Sequence, residues 1–202
     1  MQSQENMQPK KWLEWICASA DHDELSQNYD KWAETYEADI ESAWKTVPPT
    51  AANMLAKYLP NKTAPLLDVG AGTGMMGVAL SKLGFENISG FDISASMLAQ
   101  AEQKGVYQSL VCCAIADEKL DELDVFSGAI ATGVFAERHA GAEDLKIIQN
   151  KLHPGSIFVF TVRKSFLSEL QTVLEQSDWT HLETKLMPIY EDPMYLLAYK
   201  VG

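Results

Sequence analysis

The sequence predicts one α/β domain built on a mostly parallel, seven-stranded sheet, with helices preceding it at the N-terminus. Its 202 residues suit a single domain. From Leu66 onward, short apolar segments alternate with helical patterns, as they do in βαβ units. The last two apolar segments have no helix between them, so we expect them to form an antiparallel hairpin at the sheet edge.

The N-terminal segment has the apolar spacing of amphipathic helices. One set at this spacing is Trp12, Trp15 and Ile16, and a second set on another helix is Tyr29, Trp32, Ala33, Tyr36 and Ile40. Pro48 and Pro49 interrupt the chain and favour the start of a third helix. We therefore expect residues 1–46 to form a helical cover and residues 47–202 to form the main domain.

The remaining elements follow in alternation. Strands are expected at 66–69, 87–92, 109–115, 125–132 and 157–162, and helices at 74–83, 95–104, 142–152 and 165–176. The closing hairpin is expected to consist of strands at 182–187 and 195–201.

Charge and composition argue against several classes of function. The net charge of −12 disfavours nucleic acid and anionic membranes as partners, because both repel an acidic surface. No apolar run is long enough for a membrane helix and no signal core is visible, which favours a cytoplasmic protein. No cysteine or histidine pair has zinc spacing, so no metal is expected. Cys17, Cys112 and Cys113 are expected to be buried, reduced thiols.

A glycine-rich turn follows the first predicted strand and opens the next helix. Gly70, Gly72 and Gly74 allow a tight turn and a close approach of the backbone to a ligand. Asp92 ends the next strand, 22 residues past Gly70, where a carboxylate can accept hydrogen bonds from both hydroxyls of a ribose. The alternative for Asp92 is a helix N-cap, but Ser94 is better placed for that role.

Asp68, just before the turn, indicates which kind of nucleoside ligand the turn would bind. A dinucleotide-binding turn has the spacing G-x-G-x-x-G and places pyrophosphate on the helix N-terminus. Here the glycines have a different spacing, and Asp68 would repel a pyrophosphate. A carboxylate at this point suits a cationic ligand that carries an amino group and a sulfonium.

At this point the motifs resemble those of a known family. Asp68-Val-Gly-Ala-Gly-Thr-Gly74 resembles the first motif of the class I S-adenosylmethionine-dependent methyltransferases. The segment YDKWAETYEADI is similar to the N-terminal helix of the ubiquinone/menaquinone-biosynthesis and Williams–Beuren-region types. FDISASMLAQA, KGVYQSLV, ATGVF and LHPGSIFVFTVR follow in the family's order. The resemblance implies a Rossmann-like methyltransferase fold with the N-terminal helices as a lid, and S-adenosylmethionine as cofactor.

The resemblance also implies roles for individual residues. The methionine end of the cofactor would be held by Asp68 and by the backbone of Gly70, Ala71, Gly72, Thr73 and Gly74, and closed off by Ala131, Thr132 and Gly133. Asp92 would bind the ribose, with Ile93 and Met97 against the adenine. Tyr29, Trp32 and Tyr36 would lie over the pocket, although ordinary core packing would give them the same helical spacing.

One position departs from the family pattern. After the third strand many relatives have an acid that holds the adenine amino group, and the aligned residue here is Ala114. Backbone groups around Ala114 and Ile115, or the carboxylate of Asp117, are the available substitutes.

The loop after the fourth strand offers a candidate catalytic group. His139 follows the fourth strand and is a candidate general base, with a plain loop residue as the alternative. Tyr190 and Tyr195 are further candidates for the acceptor pocket. The acidic balance and the aromatic-rich N-terminal cover favour a small, neutral or cationic organic acceptor. The protein is expected to be a monomer or a homodimer. Two other functions stay open: a non-catalytic cofactor-binding module, and a nicotinamide-dependent oxidoreductase, which Asp68 and the glycine spacing disfavour.

Overall fold

The structure is a computed structural model that describes residue 16 and residues 18–202. The expected helical positions of Trp12 and Trp15 lie outside the described residues, as does Cys17. Three N-terminal helices follow: α1 (His22–Trp32), α2 (Tyr36–Trp44) and α3 (Val47–Tyr58). The side chain of Asp21 starts α1 by accepting a hydrogen bond from the backbone N–H of Glu24.

The expectation of one helix running from Tyr29 to Ile40 is wrong, because the chain turns between Trp32 and Tyr36. The carboxylate of Asp39 explains the break. It accepts hydrogen bonds from the Trp32 indole and from the Thr35 hydroxyl, both at 2.8 Å. These bonds tie the end of α1 to the first turn of α2.

The sheet has the predicted number of strands and the predicted closing hairpin. Its strands are β1 (Leu66–Val69), β2 (Ile88–Asp92), β3 (Ser109–Cys112), β4 (Phe126–Phe135), β5 (Leu152–Arg163), β6 (Thr180–Met187) and β7 (Met194–Lys200). They lie in the order β3-β2-β1-β4-β5-β7-β6. The first five are parallel, and β7 runs antiparallel to both β5 and β6. The α/β fold class is therefore confirmed.

The crossover helices occupy the predicted intervals. They are α4 (Met75–Lys82), α5 (Ala95–Gln103), α6 (Ala142–Gln149) and α7 (Leu167–Gln176). Short 3₁₀ turns cover Glu118–Glu122 and Lys164–Phe166. Because β1 lies between β2 and β4, the chain reverses direction across the sheet there, and the crevice beyond the carboxyl ends of these strands is the expected ligand site.

Several strand boundaries differ from the sequence prediction. β4 continues to Phe135, beyond the expected end at 132, and β6 begins at Thr180 rather than at 182. β3 stops at Cys112, earlier than expected, and β5 starts at Leu152, earlier than the Pro154-Gly155 pair suggested. Phe126 pairs with Leu152 while Gly128 pairs with Ile157, so the extra residues of β5 bulge out of the ladder.

The core lies on both faces of the sheet, since neighbouring strand residues point to opposite sides. Leu66 and Val159 pack towards α1–α4, whereas Leu67 and Phe158 pack towards α6 and α7. Trp44 of α2 lies in the same buried cluster as Val47 of α3. The division of the chain at residue 46 stays a prediction. Within the described residues, no helix is both long and apolar enough to span a membrane.

Candidate cofactor and acceptor site

A cavity of about 120 Å³ lies at the carboxyl ends of β1, β2 and β4, and we call it the inner cavity. Its predicted lining residues are Tyr29, Tyr36, Gly70, Gly72, Asp92, Ile93, Met97, Ala114, Ile115, Thr132, Gly133 and His139. Other residues that line it are His22, Leu25, Phe91, Cys113, Val134, Ala140 and Asp144. The structure thus gathers most of the predicted site around one space, although their roles as ligands stay predictions.

The glycine turn forms one wall of the inner cavity. Gly72 has a φ of +53°, and a Cβ placed there would meet nothing within 4 Å, so its backbone faces open space. A Cβ at Gly70, where φ is +65°, would lie 2.6 Å from a methyl of Val134. The turn therefore requires glycine for its conformation at both positions, and at Gly70 also for space.

Asp92 is held in place at the end of β2 by two backbone donors. Its Oδ2 accepts from the N–H of Gly72 and its Oδ1 from the N–H of Ser94, each at 2.9 Å. Burial raises the pKa of Asp92, and these two bonds oppose that effect. Ser94 rather than Asp92 is the N-cap of α5, as its hydroxyl accepts from the N–H of Met97. The lone pairs that Asp92 does not use here remain available to a ligand.

Asp68 lies behind the turn and does not line the inner cavity. Its Oδ2 accepts a 2.6 Å hydrogen bond from the hydroxyl of Tyr107, and its buried Oδ1 has no partner among the described residues. Burial raises the pKa of Asp68 to about 7, and the nearby charge of Asp92 adds to this rise, while the Tyr107 bond opposes it. An unpartnered buried carboxylate oxygen is costly, and a cationic or hydrogen-bond-donating ligand group would remove that cost.

Tyr107 is a site residue that the sequence prediction missed. Its ring occupies a niche bordered by Gly74, Gly77 and Gly90, and a Cβ at Gly77 would lie 2.4 Å from the ring and hydroxyl. The N–H of Gly77 donates to the Tyr107 hydroxyl at 3.1 Å. Glycine inside a helix or strand is unfavourable, so Gly77 and Gly90 were the available sequence signal of a close approach.

The helix α1 is fastened to the loop that carries Asp92. The hydroxyl of Ser26 donates to the carbonyl of Ile93 at 2.8 Å. Asp30 accepts from the hydroxyl of Ser94 at 2.6 Å and from the N–H of Ser96 at 2.9 Å. The cover is therefore tied to the start of α5, where an acid also complements the helix dipole.

Several predicted residues do not face the inner cavity. Asp68, Ala71, Thr73 and Ala131 are buried behind its wall, and Gly74 lies beneath the turn against Ala101. Trp32 is buried and lines a second, neighbouring cavity.

The end of β3 contributes Cys113, Ala114 and Ile115 to the inner cavity but no acid, and Asp144 of α6 is a further carboxylate on its wall. Its Oδ2 accepts from the N–H of Gly141 at 2.9 Å. Nothing in the local sequence singled out Asp144.

The second cavity, which we call the outer cavity, has a volume of about 1030 Å³. It shares Tyr29, Tyr36, Gly133 and His139 with the inner cavity. Aromatic side chains line much of it, namely Tyr29, Trp32, Tyr36, Trp44, Phe135, Phe166 and Tyr190. Of the two tyrosines proposed for the acceptor pocket, Tyr190 lines this cavity and Tyr195 does not.

His139 lies on the shared wall, with both ring nitrogens engaged. Its Nδ1 is 3.1 Å from the carbonyl oxygen of Glu137, and its Nε2 is 3.1 Å from the hydroxyl of Tyr29. A carbonyl only accepts, so Nδ1 carries the proton and Nε2 accepts from Tyr29 in the neutral ring. Burial lowers the pKa of His139, and the charge of Arg163 lowers it further.

The expectation of buried thiols holds for Cys113 but is wrong for Cys112, which is exposed. Cys112 and Cys113 are free, and burial raises the pKa of both, for Cys113 to about 11. Thiols with raised pKa values are poor nucleophiles. In the part of the chain that the structure describes, no group of three or more His, Cys, Asp or Glu residues is arranged to hold a metal.

Comparison with known proteins identifies the family. The family described as the methyltransferase domain matches residues 41–192. Human methyltransferase-like protein 27 is 30% identical over 141 residues, which cover 67% of this chain and 56% of the human protein. The chain thus spans little more than half the length of that relative.

Solved structures show the same fold at low identity. The 1,6-didemethyltoxoflavin-N1-methyltransferase of Burkholderia thailandensis, with bound 1,6-didemethyltoxoflavin and S-adenosylhomocysteine, has a TM-score of 0.64 and 18% identity, covering 99% of this chain and 93% of that one. The [4+2]-cyclase SpnF has a TM-score of 0.73 and 14% identity, covering 91% and 98%. From its sequence match and its fold, the chain belongs to the methyltransferase domain family, within the class I S-adenosylmethionine-dependent methyltransferases.

Proposed function

We propose that this chain transfers the methyl group of S-adenosylmethionine to a small organic molecule. The observation that carries the proposal is the wall that the two cavities share. Tyr29, Tyr36, Gly133 and His139 each border both spaces, so a ligand in one cavity lies next to a ligand in the other. Methyl transfer needs this arrangement, because the two reacting atoms must be held close together and in line.

The residues around the inner cavity suit S-adenosylmethionine. Asp92 has lone pairs for the ribose hydroxyls, and Ile93 and Met97 offer apolar surface to the adenine. Asp68 lies behind the glycine turn, and its unpartnered Oδ1 would complement the ammonium group at the methionine end if that group reaches past the turn. Asp144 is a candidate acceptor for a hydrogen bond from the adenine amino group, since the position of the family's acid is Ala114 here.

The inner cavity is small for such a ligand, since typical ligand pockets measure roughly 300–1,000 Å³. Tyr29 and Leu25 of α1 form part of its wall, and α1 is attached to the rest through Ser26 and Asp30. Binding would therefore require α1 to move away from the Asp92 loop, as lids do in many enzymes.

The protein's part in the reaction is to bind, orient and exclude water. S-adenosylmethionine supplies a methyl group already activated by its sulfonium. His139 would accept a proton from an acceptor that is protonated at neutral pH, because its neutral ring has Nε2 unprotonated on the shared wall. In doing so it would exchange its hydrogen bond from Tyr29 for one from the acceptor.

A second candidate function keeps the cofactor site without methyl transfer. The [4+2]-cyclase SpnF shares this fold, so the fold alone does not determine the reaction. Ala114 is the feature of this chain that favours this alternative. The oxidoreductase alternative is weaker, because Asp68 would repel the pyrophosphate of a dinucleotide.

Thermal unfolding with added ligands tests the cofactor assignment. A ligand at 100 times its Kd raises the free energy of unfolding by about 2.7 kcal/mol. We expect stabilisation by S-adenosylhomocysteine and none by NAD. The absence of any shift at millimolar S-adenosylhomocysteine would contradict the proposal. Consumption of S-adenosylmethionine with a panel of small acceptors then separates a methyltransferase from a non-catalytic module, which binds without turnover.

A further inference from the structure

The distribution of arginine in this chain is uneven. The sequence contains only two arginines, Arg138 and Arg163, and both line the outer cavity. No lysine of the described residues lines it, although lysine is the commoner base in the chain. Arginine differs from lysine because its planar fork of donors matches a carboxylate with two parallel hydrogen bonds.

Arg163 lies at the end of β5, half-buried, where it pairs with Met194 of β7. Its guanidinium is 5.1 Å from the ring centroid of Tyr190, whose ring in turn lies 6.4 Å from that of Trp44. It forms no ion pair with a carboxylate of the described residues. A half-buried cation is thus placed against an aromatic wall, with its donors not committed to an acid.

Arg138 lies across the same cavity, on the loop after β4. Its φ of +62° makes it the one non-glycine residue of the described chain with a positive φ. Such a conformation is costly and persists where surrounding contacts impose it, often at functional sites. Its guanidinium reaches only the carbonyls of Ala18 and Ser19, both at 3.5 Å.

The acids of the outer cavity do not neutralise this pair. Glu137 and Glu169 line the cavity, but both are exposed at its edge and neither forms an ion pair with an arginine. The charge of Arg163 also reaches His139, where it contributes to the lowered pKa. Arg138 is exposed as well, so Arg163 is the one half-buried charged residue among the arginines and glutamates that line this cavity.

We propose that the outer cavity binds a flat, conjugated organic acid, with its ring between the aromatic walls and its carboxylate on the guanidinium of Arg163. Arg138 is the second cation, closer to solvent. This inference rests on the proposed function and specifies its acceptor class. It differs from the neutral or cationic acceptor that the net charge favoured, because net charge describes the distant field and the local arginines determine what the cavity binds.

Matched acid and amide pairs test the inference. Calorimetry would measure the binding of naphthoate against naphthamide, and of indole acetate against indole acetamide, with and without S-adenosylhomocysteine. A charge-assisted, bidentate contact predicts that each acid binds roughly 10- to 100-fold tighter than its amide. Arg163→Met keeps most of the apolar stem, and it should bring the acid-to-amide ratio close to one.

The control is Lys164→Met, which removes the same charge from the next residue, an exposed position that does not line the outer cavity. It should keep the acid preference. Equal binding of acid and amide by the wild type would overturn the inference. So would an acid preference that survives Arg163→Met or is lost equally in Lys164→Met, or the failure of both acids to bind at millimolar concentration.

These outcomes are separable from failure of the proposed function. Stabilisation by S-adenosylhomocysteine reports on the cofactor site alone and also shows that each variant is folded. The acid-to-amide ratio reports on the outer cavity, and measuring it in the absence of S-adenosylhomocysteine decides the inference even if the cofactor does not bind.

Discussion

The inner and outer cavities adjoin each other but are assembled in different ways. In the inner cavity, Gly70, Gly72 and Asp92 come from the ends of two successive β-strands and therefore lie close together in sequence, whereas the rest of its lining comes from distant segments. The outer cavity takes Tyr36 from the cover, Arg163 from β5 and other residues from distant segments. Site residues that come from one βαβ unit form a short, recognisable sequence motif. Site residues that come from distant segments form no such motif.

The two cavities also differ in charge. Asp92 and Asp144 line the inner cavity, and Asp68 lies buried behind it, which suits a cationic ligand. The outer cavity contains both arginines of the chain. Because Glu137 and Glu169 also line the outer cavity, the contrast rests on the half-buried Arg163, whose charge is opposite to that of the inner cavity's acids and would favour a different ligand.

The largest expected effect tests whether the inner cavity depends on one carboxylate. Asp92→Ala removes the acceptor of the proposed ribose contact, and we expect S-adenosylhomocysteine affinity to fall by roughly 100-fold. Titration calorimetry measures it. Asp124→Ala, at an exposed loop position, is the control and should bind as the wild type does. Unchanged affinity in Asp92→Ala would remove the ribose role.

The next effect concerns the support behind the glycine turn. Tyr107→Phe leaves Asp68 Oδ2 and the N–H of Gly77 without their partner, and burying such groups costs about 2 kcal/mol of unfolding free energy. Urea denaturation measures this loss. Tyr58→Phe is the control, since the Tyr58 hydroxyl bonds to Glu183, which is only partly buried. An equal small loss in both variants would show that Tyr107 only fills space.

The raised pKa of Asp68 predicts how pH affects the inner cavity. Since burial raises that pKa from 3.8 to about 7, the folded protein binds the proton more tightly than the unfolded chain does. Asp68 therefore contributes more stability as pH falls from 7 towards 4, and this contribution is lost as pH rises through 7. Ligand binding is expected to have the opposite sign, because the proposed contact between Asp68 and the ligand's ammonium requires the ionised carboxylate.

We thus expect S-adenosylhomocysteine affinity to fall by up to about tenfold for each pH unit below 7, which is about 1.4 kcal/mol. Calorimetry at pH values from about 5 to about 8, on both sides of the raised pKa of Asp68, measures how affinity changes with pH. Asp68→Asn should remove most of this pH dependence. A slope that is the same in wild type and Asp68→Asn would assign the titration to another group.

The smallest expected effect tests the attachment of the cover. Asp30→Ala removes the acceptor for the Ser94 hydroxyl and the Ser96 N–H, and loss of such a cap costs about 1 kcal/mol. We expect lower stability without ligand and faster hydrogen exchange in α1. Glu102→Ala, exposed on the same α5 helix, is the control. Equal exchange in wild type and Asp30→Ala would show that these bonds do not hold α1.

Much of the fold could be predicted from local pattern. The alternation after Leu66 indicated the parallel sheet, and the absent helix before the last strand indicated the hairpin. The break between Trp32 and Tyr36 was missed, because the apolar spacing continues through it and only the bonds to Asp39 reveal it. The early start of β5 was missed because pairing with β4 outweighs the turn preference of Pro154 and Gly155.

What the sequence determined by itself is what short segments encode: the order of strands and helices, the glycine turn, and the acid at Asp92 that ends the next strand. Tertiary structure alone revealed the Tyr107–Asp68 bond across 39 residues and the Tyr29–His139 bond across 110. It also showed that Arg138 and Arg163 face one cavity. Periodicity and turn chemistry act over a few residues, whereas a hydrogen bond or a cavity wall depends on which distant segments the completed sheet brings together.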